Sequence, residues 1–597
     1  MSAPIPVFSD RPKAAPTPKL RALVKYPGNI VGGTGIDVTK SHGTVTVDMD
    51  WSEFASTSTI PTSPTSFVLS FDTVTQAYVL VPSSGIGSSS GNFIQAGTGA
   101  VTRTMQDKVR ETVSITDFGA VGDDSNPNTG KIQAALNSGA PDIYIPAGTF
   151  RSSALTIPTT VRRIYGSGTL KANGTITDYT AFILATSNTN LAIEGITISV
   201  SKVTYPTVIC IGGVTCTKLH IRNVNIPNAG CFGIYLNACV GSLVSGCYVA
   251  AFVQTGIYAA SGNANSFVNN SIIGATDLTH HTVLLDQEVD VLFSNNYIYS
   301  GPVGGFGLCL DLVTRAIASY NRIRNTNNES ISARGADICI KGNHLTWDGP
   351  ASQDYGMSFN NADSGNPTTR LVIDGNYIAG SGKTGIAVGL YVEDCTIINN
   401  EIVNVIGNLD SHTYGIEIGD PVGGDTLRTV VRNNTIRLTS GNMTYGVKEL
   451  GNCDYSVIEN NTMYDMITGN VLLAGAHSTT DAWVAYTPSL VGAGSGTLGS
   501  TTVVAKTASY GKTRIVSISI TVTSAGSSPG SSLRVSLPTT AKSPGGMAGA
   551  NVSIGQPVIG VVVAGDPILT IVRSDGTGYP FSGFPQTITI SGSYESV

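Results

Sequence analysis

Two aspartates close successive strand-like phrases of the same form, Val283-Leu-Leu-Asp286 and Leu308-Cys-Leu-Asp311. Side chains alternate between the two faces of a strand. With the first and third residues of such a phrase inward, the fourth points outward. Six phrases then give one outward column: Asn237, Ala260, Asp286, Asp311, Arg334 and Asn360. Stacked as parallel strands about 4.8 Å apart, they make Asp286 and Asp311 vertical neighbours, with Arg334 one rung on. Carboxylates that close repel, so one pKa is expected to rise towards that of a usable acid, and Arg334 is placed to hold the other ionised. A proton donor beside a base or nucleophile is what hydrolysis of a glycosidic bond requires. Adjacent rungs match the ~5–5.5 Å carboxyl spacing of retaining enzymes, and splayed rotamers reach the ~6.5–9.5 Å of inverting ones, so both remain open.

The second positions of the same phrases form a parallel column: Tyr235, Tyr258, Leu284, Cys309, Ser332 and Ser358. A sugar ring stacks on an aromatic face, so Tyr235 and Tyr258 are candidate binding platforms, although strand tyrosines are also common for β propensity alone. Asn237 and Asn360, in the column of the acids, are candidate substrate contacts. Among the competing carboxylates (Glu288, Asp290, Glu329, Asp354, Glu417, Asp420 and Asp425), Glu417 is the next candidate, outward on its strand in a Gly/Asp-rich region. A plainer reading of the aspartate pair is two strand-end carboxylates facing water. The same residues also admit elimination on a uronic acid, with Arg334 or His281 as base and the two aspartates holding calcium. A third reading is binding without chemistry. His280 and His281 are adjacent and point opposite ways along a strand, so they do not share a metal there. The run Gly301-Pro-Val-Gly-Gly-Phe-Gly307 has no following Lys or helix and reads as a turn, not a phosphate loop. No metal or other cofactor is expected.

All of this needs a scaffold that stacks distant phrases. The sequence supplies one in a repeated Asn-x-apolar phrase: Asn270-Ser-Ile272, Asn296-Tyr-Ile298, Asn321-Arg-Ile323, Asn343-His-Leu345, Asn376-Tyr-Ile378, Asn400-Glu-Ile402, Asn434-Thr-Ile436 and Asn461-Thr-Met463. Earlier copies at Ile196, Val224 and Cys247 keep the apolar spacing without the Asn. The period is roughly 22 to 34 residues, that of a solenoid whose units bury their apolar faces only by stacking. The Asn is read as the bend residue, tolerant of left-handed backbone, with side chains bonded along the stack.

Composition agrees with a β-rich, turn-rich chain: 597 residues, 69 of them Gly, with 12% charged and 41% hydrophobic. A net charge of −6 argues against nucleic acid as a ligand. The nine cysteines lie between Cys210 and Cys453, form no zinc-spaced motif, and read as reduced core hydrophobes. The first 20 residues lack a signal peptide's apolar stretch, and no apolar run is long enough to span a membrane.

Along the chain, residues 1–81 read as a Pro-rich arm (1–20) followed by a small β domain with turns at Gly32-Gly33 and His42-Gly43. Residues 82–112 read as a Gly/Ser-rich linker and a short helix over Thr102–Glu111, in which Thr104 and Asp107 resemble a capping box. Residues 113–480 read as the solenoid, opened by a helix with Ile132, Ala135 and Leu136 on one face and Gly139 at its end. Such a helix would cover the apolar first coil. From Trp483 the Asn phrases stop and strict alternation sets in, as in Arg514-IVSISITV-Thr523. Residues 481–597 are therefore expected to form an antiparallel β-sandwich.

The stretch Phe93-Ile-Gln-Ala-Gly-Thr-Gly-Ala-Val-Thr-Arg-Thr-Met-Gln-Asp-Lys-Val-Arg-Glu111, followed by Val113-Ser-Ile-Thr-Asp-Phe-Gly-Ala-Val-Gly-Asp123 and Ile143-Tyr-Ile-Pro-Ala-Gly-Thr-Phe150, resembles the opening of the pectate-lyase-like, right-handed parallel β-helix of bacteriophage tailspikes. It departs from that pattern after Gly122, where Asp123-Asp-Ser-Asn-Pro-Asn-Thr129 replaces an acidic, Thr-rich run. The head, Gly28-Asn-Ile-Val-Gly-Gly-Thr-Gly-Ile-Asp-Val-Thr39 with Asp48-Met-Asp-Trp51, is similar to virion-anchoring domains of short-tailed phages. The tail, Ala482-Trp-Val-Ala-Tyr-Thr-Pro488 with Tyr510-Gly-Lys-Thr-Arg-Ile515, looks like C-terminal β domains of phage tail proteins. The resemblance implies an all-β homotrimer in the virion tail. It implies attachment through the N-terminal domain to tail or portal-adaptor proteins, and action at the host cell surface on a bacterial polysaccharide, without membrane insertion. The C-terminal domain is then a trimer clamp or a sugar-binding module.

Overall fold

The computed structural model describes strands 22–24, 36–41, 44–49, 67–72 and 77–82 by their backbone, and residues 92–597 apart from 275–279, 302–304, 348–354, 361–364, 407–411, 476, 481–483, 493–500, 511–512, 524–532, 539, 554–555, 575–584 and 597. The arm 1–20, the turns at Gly32-Gly33 and His42-Gly43, the linker from 83 to 91, Trp51, Trp483 and Asp354 lie outside the described residues. The chain divides into two compact units, Met1–Glu111 and Thr112–Val597.

In the first unit, Ala22–Val24, Thr44–Met49 and Ile36–Ser41 form a three-stranded antiparallel sheet in that spatial order, and Phe67–Asp72 pairs with Ala77–Pro82 as a hairpin. The expected helix is one and a half turns, Met105–Val109, capped at Thr104, whose hydroxyl accepts the Asp107 N–H at 3.0 Å. It buries no residue of its own. Length explains this, because one turn and a half presents only one apolar stripe.

The second unit opens as the expected parallel β-helix. One column of 14 parallel strands runs from Asp123–Pro127 to Thr462–Tyr464. The other strands of each coil wrap continuously from Thr112–Ser114 to Thr479–Thr480, each paired in parallel with its equivalents on neighbouring coils. A single apolar core runs up the inside from Val113 to Val471. Most of the cysteines are buried and all are free thiols. The first coil is covered by helix Thr129–Leu136, which turns Ile132, Ala135 and Leu136 into the core. Its cap Asn128 is buried and bonds the backbone of Val121 through both ends of its amide, at 2.8 and 3.0 Å.

Inside the solenoid the repeated asparagines form a continuous ladder. Each side-chain Nδ2 from Asn270 to Asn434 donates to Oδ1 of the next, through Asn296, Asn321, Asn343, Asn376 and Asn400 to Asn461, at 2.9–3.1 Å. The same Oδ1 also accepts the backbone N–H of the asparagine before it, at 2.8–2.9 Å. Each Nδ2 donates a second time, to a core-strand carbonyl of a neighbouring coil such as Phe293 O for Asn321. The ladder corrects the expected bend role. The left-handed residue is the one before: Asn269, Asn295, Tyr320, Asn399, Asn433 and Asn460 have φ of 55–58°, and Gly342 and Gly375 have 63–64°. The bend turns the chain, and the Asn after it fills the buried corner.

A second ladder runs outside. Asp290, Arg315, Asp337, Arg370, Asp394 and Arg428 occupy equivalent left-handed turn positions and pair as Arg315–Asp290, Arg370–Asp337 and Arg428–Asp394. Such exposed pairs are worth little each, but like charges on adjacent rungs are avoided. This occupies the competing carboxylate Asp290.

Beyond the solenoid the structure corrects the expected sandwich. The described strands form one continuous nine-stranded sheet, from Val484–Tyr486 at one edge to Leu490–Gly492 at the other. Its pairings are antiparallel, and strands far apart in that order, Thr513–Val522 and Ile568–Arg573, share a single core through Ile518, Ile520, Leu569 and Ile571. Strand alternation specifies a buried face but not whether that face is met by a second sheet or by the curl of the same one. Among the described residues no helix is long and apolar enough to cross a membrane.

Replacing Asn321 with Ala removes the acceptor of Asn296 N–H and Nδ2 (2.9 and 3.1 Å) inside the core. Buried donors left without a partner are costly, so Asn321→Ala is expected to destabilise the solenoid by about 3 kcal/mol. The midpoint of its urea unfolding, followed by circular dichroism, is the measurement.

Candidate active site

The second column exists as ladder positions throughout, and the first from Asn237 to Asp311, with Arg334 and Asn360 outside its register. Asn237 pairs with Ala260, Ala260 with Asp286, and Asp286 with Asp311. In the second column Tyr235 pairs with Tyr258, Tyr258 with Leu284, Leu284 with Cys309, Cys309 with Ser332, and Ser332 with Ser358. That column continues through Ala387 to Glu417 and Lys448.

The register holds up to Leu310–Ala333 and then shifts, resuming at Val313–Gly335. Gly335 lies against the Val313 backbone at φ +133°, where a Cβ would fall 1.9 Å from Val313 O. Only Gly fits that approach. Arg334, just before it, grips Asp311 with both ends of its guanidinium, Nε to Oδ1 and Nη2 to Oδ2, the latter at 2.7 Å. A two-pronged pair fixes orientation as well as charge.

Asp311 and Arg334 line a cleft of about 420 Å³ with Glu329, Ser332, Ser358, Asn360 and Leu390. Asn360 is exposed, and its Oδ1 accepts the Leu390 N–H at 2.9 Å. Asp286 lies one rung away, outside this lining, with the Tyr258 hydroxyl 3.4 Å from its Oδ2. Burial first, and then the Asp286 charge, raise the Tyr258 pKa, so this phenol stays protonated as a donor. Tyr258, Tyr235 and Phe232 form an aromatic cluster with ring centroids 5.3–5.9 Å apart. Cys309, between the rungs, has its thiol pushed up to about 11 by burial and is inert as a nucleophile.

The carboxyl group that burial pushes up, to about 7, is Glu288. It is wholly buried in the turn after Asp286, where Oε1 accepts the Gly262 N–H and Oε2 the Asn265 amide, at 3.0 and 2.9 Å. It faces the coil interior, not the wall. His281 stacks on Phe306, centroids 4.5 Å apart, and burial lowers its pKa to about 4. A neutral imidazole of that pKa is a weak base near pH 7. Glu417 is buried, with Oε2 accepting the Thr384 hydroxyl at 2.8 Å and His412 Nδ1 at 3.0 Å. No group of three or more His, Cys, Asp and Glu is arranged to hold a metal among the described residues.

Glu329 and Leu390 enter the cleft from outside both columns, at the turn leading into strand Ile331–Lys341 and just after Gly389. Column arithmetic is blind to turns. Glu329 is among the competing carboxylates but in neither column, and nothing in the sequence singles out Leu390.

No family model matches the chain, and no curated protein does. Solved structures do. The tailspike protein of Dettilon superposes with TM-score 0.57 at 14% identity, over 86% of this chain and 98% of that one. The tailspike of Pseudomonas phage LKA1 gives 0.49 at 11% identity over 81% and 100%, and tailspike protein 3 of bacteriophage CBA120 gives 0.44 at 14% over 68% and 69%. The fold of this chain is therefore the parallel β-helix fold of a phage tailspike.

Glu288 makes stability depend on pH. Its pKa rises from 4.5 to about 7, so between those values the folded chain keeps a proton that the unfolded chain releases. Stability is expected to fall as pH rises through that window, by on the order of 3 kcal/mol, and to level off above it. Urea unfolding of the native chain and Glu288→Gln at pH 5 and pH 7.5 checks this, the difference between the two pH values shrinking in the variant.

Proposed function

We propose that this chain is a virion-borne receptor-binding protein that binds a bacterial surface polysaccharide and cuts it by endo-hydrolysis. The observation carrying the reading is the register of Asp286 with Asp311 beside a cleft, with Arg334 clamped on the second. The clamp holds Asp311 in place as the base or nucleophile, and Asp286, one rung away under the Tyr258 hydroxyl, is the second carboxyl group that hydrolysis requires. Tyr235 and Tyr258 offer rings beside the donor, and Asn237 and Asn360 flank the acids as polar contacts. Likeness of fold to a tailspike over nearly that protein's whole length supports the virion role. The elimination reading is weakened, since Arg334 is engaged by Asp311 and His281 is stacked and weakly basic.

In this proposal the working form is a homotrimer, anchored to the tail through residues 1–81 and clamped by residues 481–597. What supports a clamp is an apolar row on the outer face of the last sheet, where Ile559, Val561 and Val563 are 39%, 44% and 56% exposed. Large apolar side chains contiguous on one face mark a contact surface.

Asp286→Asn and Asp311→Asn are each expected to lower cleavage at least about a hundredfold. Release of reducing ends from the capsule or O-antigen of a susceptible bacterium measures it, with unchanged circular dichroism showing that the fold survives. Full activity in both variants would reject the site. Removal of residues 481–597 is expected to yield monomers on sedimentation, and a persistent trimer would reject the clamp.

A further inference from the structure

Near its C-terminal end the second column carries a cluster that the hydrolytic reading leaves unused. Lys448, in register with Glu417, donates from Nζ to the Tyr414 hydroxyl at 2.6 Å. The ammonium lies 4.4 Å from the centre of the Tyr414 ring and 5.7 Å from that of Tyr445. His412 closes one side, its ring 6.0 Å from Tyr414 and its Nδ1 on Glu417. Lys448 therefore stands on aromatic faces, an arrangement that attracts a cation without discharging it.

Its nearest carboxylate in the column does not pair with it, because Glu417 is turned to Thr384 and His412. An ammonium has three donors. Among the described residues only the Tyr414 hydroxyl takes one. From the cleft towards this cluster the floor of the wall is small, with Ser332 and Ser358 in the cleft and Ala387 on the next rung. Gly389 fits there because a Cβ would strike Asn360 Oδ1 at 1.8 Å. From the Asp311 rung to the Lys448 rung is five strand spacings, about 24 Å, a span of several sugar units.

We propose that Lys448, walled by Tyr414 and Tyr445, is a subsite for the carboxylate of an acidic sugar, so that the polymer bound along this wall carries uronic acid. The inference rests on reading the wall as glycan-binding, and it adds the charge of the ligand. The carboxylate accepts the free ammonium donors while the pyranose lies against the Tyr445 ring. A neutral sugar would leave a partly desolvated cation without a counter-charge, which costs binding.

The test is ligand-observed NMR on the full chain with three probes: D-glucuronate, methyl β-D-glucoside and acetate. Glucuronate is expected to bind best, with acetate and the glucoside each weaker. Lys448→Met keeps the aliphatic stem and is expected to weaken glucuronate about tenfold, the order of one hydrogen bond to a charged group. Equal binding of glucuronate and glucoside, equal binding of glucuronate and acetate, no glucuronate binding, or no effect of Lys448→Met would each overturn the proposal. Asp286→Asn is expected to leave the glucuronate signal intact while abolishing cleavage. A cleaved polymer that proves neutral would sink this subsite and leave the hydrolytic site standing.

Discussion

The asparagine ladder is the constraint on which the rest depends. In a parallel stack, a slip of one residue in any coil would turn its core residues out and its surface residues in. Apolar burial opposes that slip, but it opposes a slip of two residues only weakly, since Ile, Val and Leu recur at nearly every inward position. The asparagine is different, because it is polar, buried and satisfied only when its amide meets the next amide. A coil out of register leaves two donors and an acceptor unpaired in the core, and each unpaired group is expensive. The ladder thus converts a generic apolar stack into one with fixed register, and fixed register brings Asp286 beside Asp311 from 25 residues away.

The outer surface follows the same logic with charge. The Asp/Arg turn ladder alternates sign from Asp290 to Arg428, so that no like charges adjoin, and its rungs pair as Asp290–Arg315, Asp337–Arg370 and Asp394–Arg428. The wall bearing the candidate site does not alternate. There Asp286 is followed by Asp311, two like charges in ladder contact, and the discharge comes from Arg334 across a register shift. A repeat protein gains nothing in stability from such a break. Departures from local consistency are expected where a site is built, and this is the place on the wall where register shift, strained Gly and like-charge contact coincide.

The columns were legible because the in–out rule holds wherever strands are parallel and in register, and Asn237, Ala260, Asp286 and Asp311 lie there. The rule stops at bulges and turns. It placed Arg334 one rung on, but the grip on Asp311 depends on the shift that Gly335 permits. It gave Glu417 an outward position, while the side chain is drawn down by Thr384 and His412. It offered Glu288 as one more carboxylate, whereas Asn265 and Gly262 hold that group inside the coil. In each case a hydrogen-bond partner from another coil decides the direction, and no local pattern encodes that partner. The C-terminal sheet misled for a related reason, because alternation is local and curling is not.

A wall of stacked strands also constrains the kind of ligand. Successive rungs present side chains at about 4.8 Å intervals along a line. Small molecules need concave burial on most sides, and the cleft beside Asp311 offers this only over a short stretch. The proposed glycan would instead gather modest contacts rung by rung: the rings of Phe232, Tyr235 and Tyr258 at one end, Asn360 and the serines in the middle, and Lys448 at the other. The acids lie part-way along that line, not at its tip. On the proposed reading, a glycan laid along the wall would cross the two aspartates within its length.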